Sequence, residues 1–470
     1  MDREEGRSRL PRRGGMGPLW IALLFVLVGA AGLVWVLMTN RPGSPPVAAA
    51  TRTPLPTFTV VAEAVTPSAT PTQALPTATL LSPTATAVPA TDTPVPPTLT
   101  TVPATDTPVP PTATPGPTPM PPLPPAKPLR MNSPEYGMQA FLWWRPEVAS
   151  RDMGMIKEAG FGWVKQNIGW REVEGPAKGV YDWQRVDWIV AECNKLGLDL
   201  LVRIDHQPKW AGGNYPTNGP PDNYADLGDF LFAMASRYKG RIRAYEVWNE
   251  PNLAREWGGR SPNAAQYVAL LREGYRRIKQ ADPNAMVISA GLSPTGTQSP
   301  EAMPDDMYLE QMYQAMGGNS DGCFDVLGVH GAGFKAPPEM SPDQVASDPN
   351  YGGQRFFCFR RVEDLRRIME RYGDGDKQVA VLEFGWTSDR VNPAYSWHAV
   401  DEQTKADYFV RAYQWAKQNW SPWIGLMSLI YIADPDWTEA DEQYWWAISD
   451  PGYPDFRPRP AYLRLKEMPK

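Results

Sequence analysis

Cysteine and histidine are scarce in this chain, with three of each among 470 residues. Cys193, Cys323 and Cys358 form no CxxC pair, which argues against a structural zinc or iron–sulfur site. Cys193 falls on an apolar helical face and reads as inert core. Cys323 and Cys358 flank one long loop region and would pair if that region is extracytoplasmic. His206, His330 and His398 are too few for a histidine-rich metal centre, so no metal or cofactor is expected. Positive charge is also in short supply: 46 Lys and Arg stand against 52 Asp and Glu, a net charge of −6. With no basic stripe in the C-terminal part, nucleic acid is not an expected partner. A glycine-rich phosphate loop is missing after the first strand pattern, YGMQAFLWW, which argues against a dinucleotide-binding open sheet.

Charge is absent altogether between Pro18 and Met38, a stretch of 21 residues. As a helix it would span about 31 Å, enough to cross a bilayer core. Arg3, Arg7, Arg9, Arg12 and Arg13 precede it and predict a cytoplasmic N-terminus. The apolar run is longer than the usual core of a cleaved signal peptide, so a signal anchor is the expectation. Residues 39–130 lack hydrophobic periodicity and cannot build a core. They hold about half of the 52 prolines, and VPATDTPVPPT occurs at 88–98 and again at 102–112. This composition predicts a disordered, semi-rigid Thr/Pro-rich stalk. The expected organisation is a cytoplasmic segment (1–17), a transmembrane signal anchor (18–38), a linker (39–130) and one globular domain (131–470), with the last outside the cell membrane.

Within 131–470, short apolar runs alternate with amphipathic segments. Strands are predicted near 136–142, 162–168, 198–205, 242–250, 285–291, 324–330, 377–384 and 424–432. Helices lie between them, as over 264–280, where Tyr267, Leu270, Leu271 and Tyr275 recur at helical spacing. Eight strands alternating with helices predict an α/β fold, a (β/α)8 TIM barrel, whose site lies at the C-terminal strand ends. Those ends carry Trp143 and Trp144, then Asn167 and Trp170, Asp205 and His206, Asn249 and Glu250, His330, Glu383 with Trp386, and Tyr431 with Trp437. Two apolar strands, IRAYEVWNE and VAVLE, end on carboxylates. A buried charge is costly unless paired, so Glu250 and Glu383 read as placed for chemistry. Two carboxylates across a barrel mouth suit cleavage of a glycosidic bond. Glu246 shares the face of Glu250 and is expected inside the barrel, paired with a base such as Arg203. Glu172 and Glu174 read as solvated. Long loops at 207–224 and 331–360 are expected to wall the cleft, with Trp210, Tyr215, Tyr351, Phe356 and Phe357 mostly as loop packing.

YEVWNEPN followed by VLEFGW resembles the clan A glycoside hydrolases, particularly family 39-like and family 5-like members. The similarity runs through 131–470, including WREVEGPAKGVYDWQRVDWIV at 170–190 and RPRPAYLRLKE at 457–467. It implies a retaining hydrolase acting on a β-linked polysaccharide or oligosaccharide, with Glu250 as acid/base and Glu383 as nucleophile. Asn249 would hold the sugar 2-hydroxyl. His206, His330, Asn167, Trp386, Tyr431 and Trp437 are further substrate-binding candidates, His330 toward Glu383 or the sugar. The charge on Glu383 is expected to raise the pKa of Glu250. The run VHGAGF lacks the tyrosine that many relatives carry on strand six. A carbohydrate is the expected partner, together with the membrane through 18–38, and the protein is expected to be a monomer. A transglycosylase and a non-catalytic surface carbohydrate-binding barrel are the alternatives.

Overall fold

A computed structural model describes Leu123, Lys127–Gly213, Tyr215 and Asn218–Lys470. The expected anchor at 18–38 and almost all of the linker lie outside the described residues. Among the described residues, no helix is long and apolar enough to cross a membrane.

Eight parallel strands close into a barrel in sequence order. They are β1 (Glu135–Gln139), β2 (Trp163–Gly169), β3 (Asp199–Asp205), β4 (Ala244–Val247), β5 (Met286–Ser289), β6 (Val326–Ala332), β7 (Gln378–Gly385) and β8 (Ile424–Leu429). The principal helices are α1 (Pro146–Glu158), α2 (Gln184–Leu196), α3 (Tyr224–Arg237), α4 (Ala264–Ala281), α5 (Asp305–Ala315), α6 (Arg361–Arg371), α7 (Glu402–Asn419) and α8 (Pro460–Glu467). All eight expected strands are present. They were legible because barrel strands are buried on both faces and read as near-continuous apolar runs. Helix α4 buries Tyr267, Leu270 and Leu271 as its periodicity required. Its N-cap is Asn263, whose side chain accepts from the Gln266 amide. That bond satisfies one of the donors a helix start leaves open.

Side chains fill the barrel in layers. The lowest is apolar, built from Met131, Trp163, Leu201, Ala244, Met286, Val326, Ala380 and Leu426, with Ile288 and Leu382 above them. Met131 is pinned there by Gln378, which accepts from its amide (2.8 Å) and donates to its carbonyl (3.0 Å). The residues just before it are tied to the same end. Lys127 pairs with Asp199 at 2.6 Å, and Arg130 donates to the carbonyls of Asp376 and Pro422. Asp199 opens β3, while Asp376 and Pro422 precede β7 and β8. The chain therefore enters at the N-terminal floor of the barrel, opposite the strand ends that carry the candidate site.

Strict alternation fails on β7, and the failure matters. Leu382 belongs to the interior cluster, yet Phe384 packs outward against Phe359, Phe409 and Tyr413. A bulge explains this: Val329 pairs with Val381, but the next residue, His330, pairs with Glu383. One extra residue in β7 lets Leu382 and Glu383 both turn away from the helices, and bulges beside active sites commonly re-aim a side chain in this way.

The cysteines do not pair. Cys193, Cys323 and Cys358 are all free and buried. Cys358 packs with Ala336 and Val345 in a small cluster apart from the main core, whereas Cys323 belongs to the main core. That separation accounts for the absence of the disulfide.

Candidate active site

Above the apolar floor lies a layer of buried charge. Lys165 of β2 sits between two carboxylates, Glu246 of β4 at 3.1 Å and Glu383 of β7 at 3.2 Å. Arg203 of β3 lies 3.1 Å from Asp205 and 3.2 Å from Glu383, and the same nitrogen donates to Asn249 Oδ1 at 3.0 Å. All of these side chains are essentially inaccessible. Such ions persist in a barrel core only because each carboxylate has a cation against it. The expected partner of Glu246 was an arginine such as Arg203; the cation in direct contact is Lys165. Lys165 was legible in retrospect as a charge in the middle of an apolar strand, between Trp163 and Asn167 on one face.

The reacting groups stand on this layer. Strand β4 ends at Val247, and the backbone then leaves the extended region. Trp248 (φ 77°) and Glu250 (φ 38°) both adopt the left-handed conformation, as does His206 (φ 57°) after β3. Such conformations are costly for residues other than glycine and cluster at functional sites. The turn drives the Trp248 ring outward against Trp257, where its Nε1 donates to the Glu256 carbonyl at 2.9 Å. Asn249 and Glu250 are left facing the mouth. Asn249 is fixed by Arg203 through its oxygen, and its buried Nδ2 has no partner among the described residues.

Glu250 is held from two sides. His330 Nδ1 lies 3.1 Å from one carboxylate oxygen, and Arg255 Nη2 donates to the other at 2.7 Å. Burial works to raise its pKa, but the His330 hydrogen bond and the Arg255 charge outweigh it and bring the pKa down to about 2. The expected upward shift is thus reversed, because His330 from β6 and Arg255, five residues along the same loop, are both in direct contact. Glu383 is likewise depressed: burial raises it, and Lys165, His330 and Arg203 together outweigh that. His330 was expected near Glu383 or the sugar. It pairs with Glu383 in register across β6 and β7, but its ring hydrogen-bonds Glu250.

Gly291 makes room for this arrangement. Its carbonyl accepts the Glu250 amide at 3.1 Å, and a Cβ at this position would overlap the His330 ring. Gly291→Ala is expected to push His330 away from Glu250 and lower kcat about 100-fold, the cost of misplacing a catalytic group by about an ångström. A kcat within twofold of wild type would show that His330 does not position Glu250.

The remaining candidates divide. His206 is buried, with Nδ1 2.5 Å from Asp205 Oδ1 and its amide bonded to Asn218 Oδ1 at 2.9 Å. Asn167 is half-buried on β2; burial raises the Asp205 carboxyl, but the His206 and Arg203 charges outweigh it and Asn167 adds a smaller lowering contribution. Trp437 is half-buried and packs edge-on against Phe141 and Tyr431. Of that trio only Trp437 keeps a substantial open face; Tyr431 is buried beneath it, which removes it as a stacking platform.

Trp386 is a clear correction. It is fully buried, donates to the Ala336 carbonyl at 3.0 Å, and packs against Phe359, Tyr408 and Phe409. It is wall, not platform. Trp386→Ala should cost about 3–5 kcal/mol of stability, read by urea denaturation, with KM for a short glycoside unchanged. A large KM effect at unchanged stability would restore a binding role. Glu174 was also misread: it is buried and accepts from Trp170 Nε1 at 2.6 Å, joining the start and end of one short helix. Glu172 is exposed as expected.

Comparison with known proteins accords with this geometry. Residues 127–319 match the family model for cellulase (glycosyl hydrolase family 5). A β-xylosidase from Geobacillus stearothermophilus is 28% identical over 149 residues, 27% of this chain and 28% of that protein. The chain thus spans little more than a quarter of that relative's length. Among solved structures, a family 39 glycoside hydrolase from Bacteroides cellulosilyticus WH2 matches with a TM-score of 0.50 at 20% identity, covering 73% of this chain and 63% of that one. A monomeric β-xylosidase from Caulobacter crescentus CB15 matches with a TM-score of 0.49 at 17% identity, covering 72% and 69%. At 20% identity the likeness to the family 39 structure speaks for the fold alone. Taken together, the closed eight-stranded barrel, the Asn249–Glu250 pair with Glu383 on β7 and the family 5 match show a chain that resembles the clan A glycoside hydrolases of families 5 and 39.

Proposed function

We propose that this protein is a retaining glycoside hydrolase that cleaves a β-linked polysaccharide or oligosaccharide. One observation carries the reading. A single Arg203 nitrogen holds both Asn249 and Glu383, and so sets a buried amide donor without a described partner beside a buried carboxylate. An unsatisfied buried donor costs about 1–3 kcal/mol. A sugar 2-hydroxyl next to the attacked carbon would satisfy it.

In this mechanism Glu383 attacks the anomeric carbon while Glu250 gives its proton to the leaving oxygen. Glu250, then anionic, takes a proton from water as that water opens the glycosyl–Glu383 ester. Lys165 and Arg203 keep Glu383 ionised for attack. Trp437 offers a ring for a neighbouring sugar. The β-xylosidase match makes β-xylosides the first substrates to try. Residues 18–38 would anchor the chain in a membrane with 1–17 in the cytoplasm and the linker up to residue 126 as the stalk, its expected end at 130 being shortened by the Lys127 and Arg130 contacts with the barrel floor. Entry of the chain at the barrel floor supports that arrangement, since it turns the site away from the tether.

The test is hydrolysis by the full-length chain of aryl β-xylosides, other aryl β-glycosides and β-linked polysaccharides, followed by proton NMR. The reading predicts cleavage with the β-anomer as first product. An α-anomer as first product would exclude the retaining mechanism. Binding of a glycan without turnover across the panel would favour the non-catalytic barrel.

A further inference from the structure

The structure leaves the proposed acid in the wrong state for its first task. Arg255 Nη2 at 2.7 Å and His330 Nδ1 at 3.1 Å both favour the ionised form of Glu250, whereas protonating a leaving group needs its neutral form. Release of the Arg255 contact would favour that neutral form, since a cation against a carboxylate favours its ionised state. A second partner for Arg255 is already at hand. Glu256, the next residue, is buried, and its Oε1 lies 3.7 Å from Arg255 Nε. Its other oxygen accepts from Asn218 Nδ2 at 2.9 Å. Arg255 itself sits in a short 3-10 turn, with its side chain about one-third exposed and its Nε buried.

We propose that Arg255 and Glu256 are positioning residues that arm Glu250: Arg255 transfers from Glu250 to Glu256 as Glu256 gives up a proton and Glu250 gains one. This rests on Glu250 being the acid/base. The exchange conserves charge, since one carboxyl loses the proton that the other acquires and the guanidinium stays charged throughout. No change in solution pH is required to arm the acid.

The surroundings fit both ends of the exchange. Burial pushes Glu256 up to about 7, with Arg255 opposing and Glu250 and Asp205 adding to the rise, so near neutrality Glu256 has a proton to give. Glu250 is faced by Arg255 on its own loop, by His330 from β6 and by the Glu383 charge from β7. Glu256 is faced by Arg255, by Asp205 and Arg203 from β3, and by Asn218 from the loop after β3. Arg255 also feels Glu442 from the loop after β8. Once Arg255 has moved, Glu250 keeps burial, His330 and the like charge of Glu383. Burial and Glu383 favour its neutral form, while the His330 hydrogen bond still opposes them.

The test compares phenyl β-xyloside, whose leaving group needs an acid, with 2,4-dinitrophenyl β-xyloside, whose leaving group does not. In the full-length chain, Glu256→Gln traps Arg255 on Glu250. Its kcat on the phenyl substrate is expected to fall about 100-fold, the scale of lost acid catalysis, and on the dinitrophenyl substrate less than threefold. Adding Arg255→Gln should restore most of the phenyl activity, which a merely structural role for Glu256 would not allow. Equal losses on both substrates, or no loss on either, would overturn the proposal. A second arm needs no substrate: carboxyl-carbon NMR of chain labelled at glutamate Cδ should show Glu256 titrating near pH 7 and Glu250 ionised throughout. Arg255→Gln should move Glu250 upward by at least about two pH units. A Glu256 ionised below pH 5 would overturn the exchange. If wild type cleaves neither xyloside, the hydrolase reading fails for that sugar, and the NMR arm still decides the exchange. Glu256→Gln keeps the shape and neutrality of the group it replaces; should it nonetheless melt early, Arg255→Gln and the titration carry the test.

Discussion

Glu383→Gln is expected to lower kcat by about 10⁵-fold while leaving the fold intact. Removing a nucleophile that acts with other groups costs on this order elsewhere. The reason is local. Glu383 is the carboxylate that the β7 bulge turns toward Lys165 and Arg203, and these cations hold it ionised. Glutamine fits the same space and keeps an oxygen for both donors, but it cannot form the ester. The loss should be the same for phenyl and dinitrophenyl glycosides, because neither leaving group substitutes for a nucleophile. That pattern separates Glu383 from Glu250, whose removal should spare kcat/KM on the activated substrate, because kcat/KM reports the first step and that leaving group needs no acid. Steady-state rates at matched folded fraction check this. A Glu383→Gln variant within tenfold of wild type on either substrate would move the nucleophile elsewhere.

Lys165→Met should be the most destabilising single change at the site, by about 3–5 kcal/mol. Among the described residues Lys165 is the cation in direct contact with both Glu246 and Glu383, and all three are buried. Without it, Glu246 faces the interior of the barrel with the Gly291 amide at 3.4 Å as its remaining hydrogen bond. Breaking a buried ionic set by removing one member leaves an uncompensated charge, whereas removing both members is far cheaper. The double change Lys165→Met/Glu246→Leu should therefore recover a good part of the loss. Urea midpoints at constant m-value measure both. The pH dependence follows in sign. Glu383 has a depressed folded pKa, so its contribution is present above the ordinary glutamate value and fades as pH falls through the folded one. Lys165→Met removes part of that depression and should shift the acid limb of the stability curve to higher pH. Equal stability of the Lys165→Met variant and wild type would show that the charged layer is solvated rather than packed.

How far the sequence revealed this protein depended on the range of the interactions. The barrel was legible because each strand is a local run of buried apolar residues, and Glu250 and Glu383 were legible because each ends such a run. What the carboxylates touch was not. The His330 ring hydrogen-bonds Glu250 while its charge also bears on Glu383, and no alternation pattern marks where the extra residue of β7 enters. Trp386 and Tyr431 read as sugar platforms because tryptophan and tyrosine near a strand end serve both packing and stacking; only the positions of Phe359, Phe409 and Trp437 decide between the two. Arg255 and Glu256 were missed for a different reason. The run NLARE at 252–256, with two adjacent opposite charges after a turn, reads as solvated surface, and nothing in it signals that the loop folds Glu256 under Trp248 and beside Asn218.

The most direct measurement is to trap the covalent intermediate. A 2-fluoro-β-xyloside with a dinitrophenyl leaving group slows both steps, but the good leaving group spares the first, so the glycosyl-enzyme accumulates. After digestion of the full-length chain, mass spectrometry should find one added 2-fluoroxylosyl group, on the peptide that contains Glu383. An adduct on the peptide containing Glu250, or unlabelled protein that still turns the substrate over, would contradict the account.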